Sequence, residues 1–594
     1  MCYTPGTLAT PLEMPMFARL SLASGLAALA VPCTVLAQSA RDPIPIGEIA
    51  RPPGAEAKEG KRGPGKPGKV TAAIDRPRLL VLVVADQLRW EFLTRYAPDF
   101  GPDGFRRLME QGAVFQGHYG QQNTYTGPGH ALIATGSYGY VNGVIQNKWF
   151  NREAGRSEAM LFDPGAKLLV GETTPDDETS PRNLMGSTLG DELRLASPDS
   201  KVVAVGLKER GVIALGGRMG QAWFHSEVTG EMTTSTWYMA ALPDWVKAFN
   251  AKKPTDAVFG QTWDRLLPAD RYPEVDDSKF ESDVKGLGRG FPKKVTGKLA
   301  APGPDFYTAF QATPFGTDLT FDFARAALDG EKLGRRGVTD VLAVSISPTD
   351  LAGHAFGPYS QEMRDVTVRL DRSLGVFLKD LDKRYKPGEV LFAFTSDHGA
   401  VPIPEWSAEK LHTGHRLKKA SIKETVNKAL SARFGAGEWV VALEDPSVYL
   451  DRALIASRKL DPAEVERVAG EACLALPGIS GFHTRTQLLN GWVPPTRGAQ
   501  AVVRSYYPVR SGDVVLVQAP FSFWGKYAEK DHGSTHGSFY RYDTDVPILL
   551  WGKPFVPGFH GETEMVDLAP TLTRLLGVNP PAGCEGEVLE EALR

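Results

Sequence analysis

Cysteine is scarce, with 4 among 594 residues. Cys2 and Cys33 fall in an N-terminal segment that reads as removable, which leaves Cys473 and Cys584. Neither stands in a Cys-x-x-Cys pair of the zinc-binding type; whether the two pair with each other in an oxidising compartment is left open by the sequence. A surplus of either charge is lacking too. With 67 basic and 70 acidic residues the formal net charge is -3, so nucleic acid or an acidic membrane surface has no case as the main partner. There is no internal repeat and no long low-complexity tract.

The N-terminus holds a short apolar run. Arg19 gives it a positive start, Leu20 to Leu36 is mostly apolar, and Val35-Leu36-Ala37 is a small-x-small cleavage site. Pro32 and the shortness of the run argue against a transmembrane anchor. Residues 1–37 are therefore expected to be a signal peptide. Its removal leaves no stable membrane span and implies a periplasmic or secreted protein. Residues 38–77 are basic and rich in Pro and Gly, as in Lys61-Arg62-Gly63-Pro64-Gly65-Lys66, and are expected to form a flexible arm.

From residue 78 to 594 the chain has ordinary globular composition and is expected to form one large domain. Leu79 to Ala85 is a continuous apolar run that suits a strand buried on both faces, and Val202–Val205, Val341–Ile346, Leu391–Phe394 and Val546–Trp551 look similar. Met363, Val366, Leu370, Leu374, Phe377 and Leu381 are spaced as one face of a long helix, and Asp567 to Leu576 reads as a helix stopped by Gly577. This alternation predicts an α/β fold, a doubly wound and mostly parallel sheet with helices on both faces. Two stretches, about 221–315 and about 405–530, break the alternation and read as insertions that cap the active site.

Chemistry in such sheets gathers beyond the strand ends. Asp86, Asp350 and Asp397 each follow a strand-like run, with His354 and His398 close by and His536 near the end of the chain. Asp and His are zinc ligands, and a catalytic zinc keeps one position open. Asp350 and His354 share one face if that segment is helical. With His536 they make one three-ligand site; Asp86, Asp397 and His398 make a second, which the Thr126 hydroxyl completes. His532 competes with His536. Thr126-Gly127-Pro128-Gly129-His130 reads as a turn into a helix whose first amides face an anion. A metal-activated Thr126 is the candidate nucleophile, with Thr124 its nearest competitor. The set fits hydrolysis at phosphorus or sulfur.

These residues, in this order, resemble the alkaline phosphatase superfamily, and within it the PafA-type bacterial alkaline phosphatases, kin of the nucleotide pyrophosphatase/phosphodiesterases. The resemblance implies two zinc ions per chain, a covalent phosphothreonine intermediate on Thr126, and small phosphate monoesters as substrates. It also implies that Asn147, Lys208 and Arg210 contact the phosphoryl oxygens. The diesterases of the superfamily lack the Lys-x-Arg pair, and its sulfatases need a Cys/Ser-x-Pro-x-Arg pattern from which Thr126-x-Pro-x-His130 departs. A phosphodiesterase is the alternative within the same fold.

Overall fold

The strand Leu79–Ala85 (β1) has no polar residue to offer to water. Leu79, Val81, Val83 and Ala85 pack into one apolar cluster, and Leu80, Leu82 and Val84 into another. Side chains alternate across a strand, so such a run must be covered on both faces. The computed structural model describes residues 76–171 and 178–594, and it places β1 at the centre of a nine-stranded sheet. The expected signal peptide lies outside the described residues, as does the expected arm apart from Arg76 and Pro77.

The other strands of the sheet are Ala113–His118 (β2), Val202–Gly206 (β3), Gln221–His225 (β4), Met232–Thr233 (β5), Asp340–Ile346 (β6), Val390–Thr395 (β7), Asp545–Trp551 (β8) and Gly558–Glu564 (β9). Across the sheet they run β9-β2-β8-β7-β1-β6-β3-β4-β5. The neighbours from β7 through β4 are all parallel, as the alternation predicts. One apolar run departs from the rest. β8 is antiparallel to β7 and to β2. Apolarity reports burial and says nothing of direction, so the sequence gives no sign of the reversal.

Helices cover both faces. Gln361–Arg384 buries the predicted stripe from Met363 to Leu381 against one face, and the Ser360 hydroxyl caps its start by accepting from the Met363 N–H. Leu568–Leu576 packs on the other face and ends at Gly577, which takes the left-handed conformation a helix stop requires.

The excursions differ from expectation in one boundary. The composition shifts near 221, yet Gln221–His225 is β4, a parallel neighbour of β3, so the sheet continues past the expected start of the first insertion. Its Trp223 and Phe224 are buried core residues. The second excursion builds its own four-stranded sheet from Val440–Glu444, Ser447–Leu450, Ile479–Thr484 and Val514–Gln518, over a separate core that includes Trp439 and Leu516. Cys473 is buried in that core and Cys584 lies elsewhere; both are free thiols.

Candidate active site

All the expected site residues except Asn147, which precedes the separate hairpin strand Lys148–Asn151, come from one end of the sheet's parallel strands. Asp86 directly follows β1, Lys208 and Arg210 follow β3, and Asp397 and His398 follow β7. Thr126 opens the helix Thr126–Thr135 (α1) after β2. Asp350 and His354 lie in the helix Pro348–Phe356 (α2) after β6 and share one of its faces. His536 precedes β8. Because β8 runs backwards, the segment leading into it arrives at the edge where its neighbours end.

The ligands form two buried groups, Asp350 with His354 and His536, and Asp86 with Asp397 and His398. Within each group the donor atoms lie within 4.8 Å of one another. His532 is in neither; it sits, partly exposed, on a cavity wall.

Each histidine is held from behind. Nδ1 of His354 donates to the Ser534 carbonyl at 2.9 Å, Nδ1 of His398 to the Gly399 carbonyl at 2.9 Å, and Nδ1 of His536 to the Thr124 carbonyl at 2.7 Å. A carbonyl can only accept, so Nδ1 carries a proton, and Nε2 is the ring atom left to bind, through its lone pair where the ring is neutral. Those lone pairs face carboxylate oxygens: His354 Nε2 is 3.2 Å and His536 Nε2 3.6 Å from Asp350 Oδ1, and His398 Nε2 is 3.3 Å from Asp86 Oδ1. Burial pushes the His354 ring down to about 4. Burial, then His398 and His354, hold His536 well below its ordinary value. Both rings are thus neutral at physiological pH, and lone pair faces lone pair. Asp86 Oδ1 and His398 Nε2 are buried without any hydrogen-bond partner among the described residues. A buried contact of this kind is repulsive unless a proton or a cation sits in it, and the nitrogen and oxygen donor set fits one divalent ion per group.

The charges agree. Burial, with repulsion from Asp350 and Asp397, raises the Asp86 carboxyl well above the usual range despite Lys208. Asp350 goes the other way: burial opposes its ionisation, but Lys208, its charged neighbour, holds it well below. Lys208 donates to Asp86 Oδ2 at 2.7 Å and also to Asp350 Oδ2, one carboxylate from each group. Two carboxylates therefore share one ammonium. Lys208 is thus a link between the groups, while Arg210 and Asn147 line an adjoining cavity of about 510 Å³ together with His354 and His536. The Arg210 guanidinium also meets Glu209 at 3.1 Å.

Thr126 is buried, 2% exposed. Nδ1 of His130 lies 2.9 Å from the Thr126 carbonyl and 3.1 Å from Asp397 Oδ2, while the ring of Tyr125 meets His536 edge-on at 5.2 Å. These contacts fix the start of α1 between one ligand of each group. Gly129 permits the approach, since a Cβ there would come within 2.2 Å of the Asp397 carbonyl oxygen. The anion cradle expected at the start of α1 is smaller than the motif suggests. Pro128 has no N–H, and the Gly127 N–H is taken by Asn147 Oδ1 at 2.7 Å, which leaves the Asn147 NH₂ group as the donor. The competing hydroxyl of Thr124 is engaged, donating to the Ser538 carbonyl at 2.9 Å.

Three contributors carry little sequence signal. Gln87 adopts a left-handed backbone (φ 66°), donates its N–H to Asp397 Oδ1 at 3.1 Å and its Nε2 to Asp350 Oδ1 at 2.7 Å, and so ties the two groups together. Gly353 makes room for it: a Cβ there would lie 1.8 Å from Gln87 Oε1. His130 stands in the Thr126 motif, but nothing in the motif assigns it a contact. Tyr527, from the second excursion, stacks on His354 with ring centroids 4.1 Å apart.

Similarity to known proteins agrees with this site. A family profile described as type I phosphodiesterase / nucleotide pyrophosphatase matches residues 80–539, from β1 to just past His536. A protein of Elizabethkingia meningoseptica named alkaline phosphatase PafA is 33% identical over 532 residues, 88% of this chain and 96% of the relative. A protein of Myroides odoratus named calcium-transporting ATPase is 33% identical over 536 residues, 88% of this chain and 95% of the relative. The crystal structure of wild-type alkaline phosphatase PafA superposes with a TM-score of 0.79 at 32% identity, covering 88% of this chain and 100% of that one. A PafA variant substituted at one threonine, one asparagine, one lysine and one arginine superposes at 0.78. The chain is a member of the type I phosphodiesterase / nucleotide pyrophosphatase family, within the alkaline phosphatase superfamily.

Proposed function

We propose that the protein is an exported, metal-dependent alkaline phosphatase that hydrolyses small phosphate monoesters. One observation carries the reading: two buried ligand groups whose lone pairs face each other, with Thr126 fixed between a ligand of each. Asp350, His354 and His536 would hold one divalent ion, and Asp86, Asp397, His398 and Thr126 the other. The all-nitrogen and oxygen donor set suits zinc. Bound there, the two ions supply Lewis acidity that acidifies a hydroxyl and stabilises a departing oxygen.

The chain's own residues account for the rest. The Thr126 oxygen attacks phosphorus, the P–O bond to the alcohol breaks, and the alcohol leaves. Water then attacks the phosphothreonine, breaks its P–O bond and releases phosphate with Thr126 restored. Asn147, Lys208 and Arg210, on the walls of the adjoining cavities, bind the non-bridging oxygens, where charge spreads in the transition state. Lys208 holds Asp86 and Asp350 in register and adds positive charge beside them. The four residue types substituted in the PafA variant occur here, in the same chain order, as Thr126, Asn147, Lys208 and Arg210. Hydrolysis at phosphorus is also what the ATPase in the Myroides relative's name denotes.

A second reading, a phosphodiesterase, is favoured by the description of the family profile. The cation pair argues for monoesters. A monoester offers a dianionic phosphoryl group with oxygens free for charge-assisted hydrogen bonds, and a diester has one charge fewer and a bulky second substituent. The test is hydrolysis of nitrophenyl phosphate and bis(nitrophenyl) phosphate by the purified protein, with and without chelator. Fast, chelator-sensitive monoester cleavage with slow diester cleavage is expected; the reverse preference moves the protein to the diesterases. Export, read from residues 1–37, is tested by cell fractionation, with the mature protein expected outside the cytoplasm.

A further inference from the structure

A second cavity, of about 410 Å³, adjoins the first and shares with it Glu209, Arg210, His354, Lys526 and Tyr527. Its wall carries five Lys and Arg side chains against four carboxylates, and the cations differ in how they are used. Lys208 is committed to Asp86 and Asp350, and Lys285 to Asp305 at 2.7 Å. Lys526 and Lys530 are not: among the described residues neither ammonium has an ion pair or a hydrogen bond, and each rests only near the ring of Tyr527, at 5.8 and 5.3 Å. The carboxylates on this wall are mostly engaged, Glu209 with Arg210 and Asp283 with Lys298 at 2.8 Å, so Glu227 alone is left to face the two lysines.

The segment that carries the lysines is built in place. Arg416 donates to the Tyr527 carbonyl at 3.1 Å and the Gly533 carbonyl at 2.6 Å, and Lys418 to the Ala528 carbonyl at 2.8 Å. Tyr527 itself stacks on His354. Lys526 and Lys530 are solvent-exposed, and partial burial at the cavity mouth, then Lys530 and Arg210, lower the Lys526 ammonium from its ordinary value. Like charges thus stand close together beside the reacting centre with too few anions to balance them, a configuration that an anionic ligand would relieve.

We infer that this cavity is a subsite for a second phosphate on the substrate, carried by the alcohol part of the monoester, with Lys526 and Lys530 as its specificity-determining residues. The substrate class is a phosphate monoester that bears a further phosphoryl group, such as a sugar bisphosphate or a nucleoside diphosphate. Two ammonium groups suit a phosphate as point charges on flexible stems, and they need no particular geometry of the group between them. The inference rests on the phosphatase reading of the neighbouring site.

The test compares kcat/KM of the metal-loaded enzyme for nitrophenyl phosphate and for fructose 1,6-bisphosphate, in the wild type, in the Lys526→Ala/Lys530→Ala double variant and in Lys526→Arg/Lys530→Arg. The double alanine variant is expected to lose on the order of tenfold or more on the bisphosphate, mainly through KM, and less than about threefold on nitrophenyl phosphate, with the arginine variant close to wild type. Equal losses on both substrates, or no loss on either, would overturn the subsite. If the wild type turns over no monoester at all, the phosphatase reading fails by itself. The subsite is then read from calorimetric binding of inorganic pyrophosphate: weaker binding by the double alanine variant supports it, and equal binding overturns it.

Discussion

The two ligand groups of this protein are built from similar residues and placed differently. Asp86, Asp397 and His398 are sealed, each 0% exposed, and line neither of the two cavities described above, while His354 is 8% exposed and stands with His536 in the cavity wall. The sealed group has two carboxylates and one histidine; the open group has one carboxylate and two histidines. The unpartnered atoms Asp86 Oδ1 and His398 Nε2 belong to the sealed group. More negative charge and less water mean a stronger demand for a cation, so the sealed group should hold its ion more tightly. The difference assigns roles. On the proposed phosphatase reading, the sealed side would keep the nucleophile ready, through His130 and the start of α1, and the open side would meet the leaving group and water.

Four changes probe that comparison, in falling order of effect. Thr126→Ala removes the nucleophile of the sealed side and leaves both sets of protein carboxylates and imidazoles intact. Monoester turnover should fall by about 10⁴-fold or more while metal content stays near that of the wild type, as read by steady-state kinetics and elemental analysis. Arg210→Ala acts on the open side. It should cost about 10²- to 10³-fold in kcat/KM for a monoester and clearly less for a diester, which narrows the gap between the two substrates. Gln87→Ala removes the residue that hydrogen-bonds to a carboxylate of each group, so metal affinity should fall by about 10- to 100-fold at both sites, and a loss confined to one site would mean the groups are not coupled through it.

The fourth change reads the dryness of the sealed side through stability. Asp543 lies behind His398, its backbone carbonyl accepting from the Gly399 N–H at 2.7 Å, and burial pushes its carboxyl up to about 7. An unfolded Asp titrates near ~3.9, so the folded state binds the proton more tightly, and the stability this contributes is full below about pH 4 and lost as pH rises through about 7. Asp543→Asn does not titrate and keeps an acceptor for the Ser538 N–H and hydroxyl. In metal-free protein, the variant should gain on the wild type between about pH 4 and 8, by at most about 4 kcal/mol in thermal melts, and a constant difference across that range would show that the side is wet.

Much of this was legible in the sequence, for a physical reason. A parallel strand covered on both faces has to be apolar throughout, so Leu79–Ala85 and Asp340–Ile346 stand out in composition, and the ligands follow them because chemistry gathers at strand ends. The helical spacing of Asp350 and His354 and the stripe from Met363 to Leu381 are local patterns and were readable as such. What was not legible depends on partners far away in the chain. The reversal of β8 leaves no mark in its own residues, although it is what delivers His536. Gln87 needs both Asp350 and Asp397 before it has a role, and Tyr527 needs His354. Lys208 was expected on the phosphoryl oxygens from the resemblance; that it also meets Asp86 and Asp350 depends on residues far along the chain and is not readable from its own motif. The boundary near 221 misled because β4 is a short edge-side strand rich in aromatics, a composition it shares with the excursion that follows.

The most direct test is a chelator titration of the wild type and of His354→Ala, following bound metal per chain and monoester turnover on the same samples. The account predicts two ions per chain in the wild type, released in two stages with turnover lost in the first, and a single, tightly held ion in His354→Ala. One ion per chain in the wild type, or full turnover once both ions are gone, would contradict it.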